Sequence, residues 1–361
     1  MNLRNAITTG LAVLVIAAGL TSCSSSGGTH LMYVSTDQGI FAFRINNKSF
    51  RSTAIFTAPF IVGNAPAGMV ITPAGNLAYV ANQGDNTISL LKIDSVSGTL
   101  TEVLPRTQAG FGPNTLVLDD TGSTLFVANQ SSNDISAFSV GANGALSLVS
   151  TTSLGAQPTR MEFVSGLLFV AVPNFSSVYV FSVNSGKLTQ VTGSPFSVPA
   201  GVGSVTVDSG TKFLFVTNPG FDSVSAFAIQ YSASANTMSL TAAPGSPFVL
   251  PNASTTVHPE PVAAILDPTT THLYVTNFNT NNVSEFSVGP SGVLTSISNT
   301  PPSVGTNPNL ILFDPISKVY LVGNLGSKTV STLTVNSDAT LAANANTASV
   351  PGSPQAIALT K

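Results

Sequence analysis

A short block ending in Asn recurs along this chain at a near-constant interval. Its clearest copies are Leu125-Phe126-Val127-Ala128-Asn129, Leu214-Phe215-Val216-Thr217-Asn218 and Leu273-Tyr274-Val275-Thr276-Asn277. Looser copies begin at Met32, Ala78, Leu168 and Tyr320, which makes seven. The anchor position falls at Thr36, Asn82, Asn129, Val172, Asn218, Asn277 and Asn324, in steps of 46, 47, 43, 46, 59 and 47 residues. One four-stranded propeller blade takes roughly 40–50 residues. A blade cannot bury its own faces, so the copies must stack on one another. The 361 residues therefore predict one all-β domain, a seven-bladed β-propeller, instead of two or three ordinary domains.

The third copy predicts its four strands most clearly: Asn114 to Asp119, Thr124 to Ala128, Asp134 to Val140 and Ala145 to Ser150. Turn residues mark the breaks, with Asp119-Asp120-Thr121-Gly122 and Ala142-Asn143-Gly144 supplying positive φ and local backbone hydrogen bonds. A second signal has the same period. Pro-led apolar runs begin at Pro66, Pro113, Pro158, Pro261, Pro308 and Pro354, and Gly203 to Val207 fills the remaining slot. These are the expected innermost strands, since Pro at a strand's first residue loses no ladder hydrogen bond. The repeat region opens on a second-strand block, Leu31 to Ser35, and closes on a first-strand run, Pro354 to Leu359. The last strand is thus expected to complete the first blade and close the ring, protecting strand edges. A β-solenoid, the rival architecture, would need no such matching ends.

Charged residues make up only 7% of the chain and the formal charge is −3. There is no basic run, so nucleic acid and anionic lipid surfaces are not expected partners. No phosphate-binding loop, nucleophile elbow or metal-ligand spacing appears, so neither a cofactor nor a metal is expected.

Residues 1–22 read as a targeting segment: one positive charge at Arg4, then the apolar run Ala6 to Leu20, too short to span a bilayer. Leu20-Thr21-Ser22-Cys23 resembles a bacterial lipobox, and Cys23 is the only Cys. The resemblance implies cleavage before Cys23 and lipid attachment there. Residues 23–29 would then be a flexible tether and 30–361 the propeller. The expected location is the cell envelope, at the outer membrane or cell surface in a Gram-negative host. The only membrane contact expected is the lipid.

The blocks resemble the YVTN-type propeller repeat, whose tetrapeptide stands at Tyr274 to Asn277. From His30 to Lys361 the chain also resembles the lactonase-type propellers typified by 6-phosphogluconolactonase. The resemblance covers the blade order, the second-strand start and the closing C-terminal strand. The phrases Gly193-Ser194-Pro195-Phe196 and Gly245-Ser246-Pro247-Phe248 are also common in that family. It implies a site around the central channel, on the face where inner strands begin. Candidate ligand-binding residues there are Asn114, Thr159, Arg160, Ser204, His258, Glu260, Asn309 and Gln355. Lactone hydrolysis needs a base to activate water and a cation for the oxyanion. Arg160 is the candidate cation, and His258 or Glu260 the candidate base. Gly203-Ser204 stands where the family typically carries Arg-His.

On that departure the sequence favours a lipid-anchored module that binds a small molecule, glycan or protein at the channel without catalysis. A sugar-lactone hydrolase is the alternative, and an adhesion or assembly scaffold the third reading. Two insertions, Gln230 to Thr237 and Pro251 to Glu260, lengthen the longest step, and the second is placed to overhang the channel.

Overall fold

A computed structural model describes residues 28–199, 201–251 and 253–360. The signal segment, Cys23 and most of the tether lie outside these residues. Strands form seven antiparallel sheets, each one blade of a closed ring. The inner strands are Pro66–Ile71, Pro113–Leu118, Arg160–Val164, Val205–Val207, Pro261–Leu266, Pro308–Asp314 and Pro354–Leu359. Pro158 precedes its strand by two residues instead of opening it. Elsewhere the Pro-led runs and the inner strands coincide. The third blade has Thr124–Asn129, Asp134–Val140 and Leu146–Ser153 outside its inner strand, within a few residues of the expected bounds.

The ring closes between the two ends of the chain. Pro354–Leu359 pairs antiparallel with Thr29–Thr36, from Met32 opposite Leu359 to Thr36 opposite Pro354. Thr360 extends this seam, its N–H donating to Leu31 O at 3.0 Å and its Oγ1 accepting from Leu31 N at 3.1 Å. The apolar interior is divided among the seams between blades. At the closing seam Met32, Val34 and Phe41 of blade 1 pack on Leu321 and Val330 of blade 7. This is why the alternation along each strand is blurred: both faces of a blade are covered.

The recurring Asn is a buried tie from the second strand to the third. Asn129 is fully buried, and its Nδ2 donates to Asp134 Oδ1 at 2.6 Å and Ser136 Oγ at 2.9 Å. Asn82 makes the same pair of bonds to Thr87 and Ser89, Asn277 to Asn282 and Ser284, and Asn324 to Thr329 and Ser331. A glycine lies over several of these amides. A Cβ at Gly110 would stand 2.5 Å from the Asn129 side chain, which explains the Gly ahead of that inner strand. A second tie joins neighbouring blades. The hydroxyls of Tyr33, Tyr79 and Tyr274 donate to the carbonyls of Gly98, Gly144 and Ala339, in the outer turn of the next blade.

Candidate functional site

Each inner strand begins on one face of the ring, here the upper face, and ends on the lower. On the upper side the channel holds a pocket of about 170 Å3, lined by Gly68, Asn114, Arg160, Leu310, Gln355 and Ile357 among others. The blades approach closely here. A Cβ at Gly68 would fall 2.5 Å from Asn114 O, so only Gly fits.

Arg160 opens the inner strand of blade 4 and crosses the channel, where its Nη2 donates to Asn309 O of blade 7 at 3.4 Å. Among the described residues no carboxylate lies within ion-pairing distance of it. Burial alone lowers its pKa, a measure of how poorly the cation is compensated. Asn114 Oδ1 and Asn309 Oδ1 are buried and accept no hydrogen bond. The Arg160 guanidinium and one unused amide oxygen, that of Asn114, thus line one small pocket.

The other expected residues separate. Thr159 is spent on structure: its carbonyl accepts from Thr115 Oγ1 at 2.9 Å. Ser204 is not a channel residue. It is buried, its N–H donates to Thr217 Oγ1 at 2.8 Å, and its hydroxyl meets the same atom at 3.0 Å. Glu260 has φ +58°, but so do its repeat equivalents before a strand-opening Pro have positive φ: Ala65 at +49°, Gly112 at +64° and Asn307 at +53°. It is the residue that turns the chain into the inner strand, and it lines neither channel pocket.

His258 sits on the overhanging insertion, and the structure supplies it with a partner that the sequence did not reveal. Its Nδ1 lies 2.7 Å from Asp222 Oδ2, with the imidazole 64% accessible and the carboxylate 11%. Asp222 Oδ1 also accepts the Glu260 N–H at 2.9 Å, so one carboxylate fixes both the ring and the turn. Asp222 ends the short 3-10 turn Pro219–Phe221 in the left-handed region. The pair is far apart in sequence and no spacing signal links them.

Deeper along the same strand, Glu162 faces the lower side. Its Oε2 accepts the Val207 N–H at 2.9 Å. Burial pushes its pKa up to about 8, assisted by the charge of Asp208 and opposed by the Val207 bond. No local pattern singles it out. No group of three or more His, Cys, Asp or Glu able to hold a metal occurs among the described residues.

Residues 32–163 match the family described as lactonase, 7-bladed beta-propeller. Its fold is a seven-bladed β-propeller. The chain superposes on a candidate 6-phosphogluconolactonase of Bacteroides fragilis at TM-score 0.79 and 20% identity, covering 94% of this chain and 99% of that one. The periplasmic gluconolactonase of Pseudomonas aeruginosa aligns at TM-score 0.78 and 20% identity, over 92% and 99%. A Lactobacillus plantarum protein aligns at 0.78 and 16%, over 92% and 100%. No curated protein sequence matches the chain.

The lactonase family match over residues 32–163 overturns the expectation of a binding module without catalysis, and favours the lactonase alternative. The expectation rested on Gly203-Ser204 as a lost catalytic pair. Ser204 is folded against Thr217, away from the pocket that Arg160 lines, so that position does not decide the chemistry.

Proposed function

We propose that the protein hydrolyses a lactone, of the sugar-lactone class, at the upper mouth of the channel. The observation that carries this is Arg160, a partly buried guanidinium without a counter-ion among the described residues, lining a pocket with the unused amide oxygen of Asn114. As water adds to a lactone carbonyl, negative charge develops on the carbonyl oxygen. A pre-placed cation in a poorly solvated site stabilises that charge far more than water can. The base is His258. Asp222 holds the Nδ1 side, which leaves Nε2 to take the proton from the attacking water. The ring C–O bond then breaks, the leaving alkoxide is protonated and a hydroxy acid departs. The test is the rate of ring opening of gluconolactone, with and without phosphate at the 6-position. A rate well above spontaneous hydrolysis supports the reading; a rate equal to it on both compounds refutes it.

The targeting segment and Cys23 support an exported, lipid-anchored protein. Thr29–Thr36 is a second strand, antiparallel to its inner strand, so the described chain begins on the lower face. A short tether from Cys23 would hold that face toward the membrane and turn the Arg160 mouth away from it. Cys23→Ala should abolish lipid labelling and release the protein from the membrane fraction. Labelling that persists in the variant contradicts the anchor.

A further inference from the structure

We propose that the lower mouth of the channel is a second binding site, for a small primary ammonium ion, with Glu162 as its counter-charge. The site is a cavity of about 390 Å3, lined by residues of blades 4, 5, 6 and 7. Its walls are apolar at Met161, Val205, Leu266 and Ile311, and Glu162 and Thr206 bring polar atoms into it. Ile311 lines this cavity and the upper pocket alike, so the two sites share one channel from opposite ends. The lower site lies outside the hydrolytic machinery assigned above and its occupancy is independent of that reading.

Glu162 is deep in the ring yet lines the cavity. One of its oxygens is held by Val207 N–H, and the other meets no donor among the described residues. The charged groups around it are mostly of its own sign. Asp208 is buried in the adjoining turn, where its Oδ1 accepts the N–H groups of Lys212 and Phe213. Asp267 lines the cavity but spends its Oδ1 on the N–H groups of Thr271 and His272, both at 2.7 Å. His272 has its Nδ1 3.9 Å from Asp267 Oδ2, and its ring stacks on Tyr274. Arg160 stands two residues before Glu162 but reaches the opposite way, to Asn309. Lys212 does not line the cavity.

A carboxyl so placed ionises more readily with a cation beside it. A metal ion is a poor occupant. One free carboxylate oxygen and a threonine hydroxyl, itself donating to Ala264 O, fall well short of the six to eight oxygens that calcium takes. An ammonium group on a short hydrocarbon chain fits both halves of the site: its N–H groups donate to Glu162, and its methylenes cover the apolar walls.

The inference makes an observable prediction about protons. At pH 7 Glu162, with its pKa pushed up to about 8, is mostly protonated, and an ammonium ion must displace that proton. The experiment is calorimetric titration of the full-length protein with butylammonium chloride at pH 7. It is run in phosphate and in MOPS, whose different ionisation heats report proton release. Butanol is the uncharged control. The expected result is binding of butylammonium with release of most of one proton, no comparable binding of butanol, and at least tenfold weaker amine binding in Glu162→Gln. Equal binding of butanol, binding without proton release, or an unchanged affinity in Glu162→Gln overturns the proposal. Proton release is read on the unmodified protein, so the test stands even where the variant folds poorly.

Discussion

At the residue scale, single side chains do two kinds of work: some tie strands together and others furnish the channel. The period exposed the anchor Asn residues, but not the bonds they make. Their role as buried ties appears only when the third strand is folded back, bringing Ser136 onto Asn129. Asn129→Ala leaves those partners unsatisfied in a closed interior and should destabilise the fold by about 1–3 kcal/mol, read by denaturant unfolding. An unchanged midpoint contradicts the tie. Arg160 was found because it stands at a strand start near the expected site. Asp222 and Glu162 were missed because what makes them notable is environment, which no local pattern encodes. A further buried pair joins blades 1 and 7: His30 Nε2 lies 2.9 Å from Asp314 Oδ2, both nearly inaccessible. Burial disfavours the imidazolium, but Asp314 and Asn47 outweigh it and raise the His30 pKa. A raised His stabilises the fold below its unfolded value of about 6.5, and that stability is lost as pH rises through the folded value. Glu162 acts in the same direction, because its folded state holds a proton up to about pH 8 that the unfolded chain releases near 4.5. The melting temperature should therefore fall as pH rises from about 5 to 9, and the fall should be shallower in Glu162→Gln. A melting temperature that rises over that range contradicts both assignments.

At the scale of elements, the strand is the unit that the sequence encodes best here. Pro-led runs located most inner strands almost to the residue, because a missing N–H and a fixed φ are intrinsic to Pro. The exception, blade 4, begins two residues late at Arg160. The short extra strands Phe196–Ser197, Phe248–Val249 and Ala348–Ser349, which pair with third strands, were not anticipated. They are made by tertiary pairing of loops, and two residues carry no periodicity. The closing strand is the element most open to test. Deleting residues 354–361 removes the inner strand of blade 1, leaves Thr29–Thr36 with an unpaired edge, and uncovers Val34 and Met32. The expected outcome is aggregation or a large drop in melting temperature, measured by light scattering and calorimetry. A truncated chain that melts like the intact one would remove the closure from the account.

At the scale of the whole molecule, seven similar blades make a channel whose two ends differ. The upper mouth carries a cation without a counter-ion among the described residues and an unused amide oxygen, and the lower mouth a half-buried acid. The repeat determines that a channel exists. Single departures from the repeat, in blade 4 above all, determine what lines it, which is why the fold was legible and the site only in part. The central claim is that Arg160 stabilises the oxyanion of lactone hydrolysis. It is tested most directly by kcat/KM for the preferred lactone in Arg160→Ala, alongside a melting curve to establish folding. Loss of a transition-state cation predicts a fall of at least about a hundredfold, with the melting temperature little changed. A folded Arg160→Ala protein that opens the lactone as fast as the wild type would contradict the account.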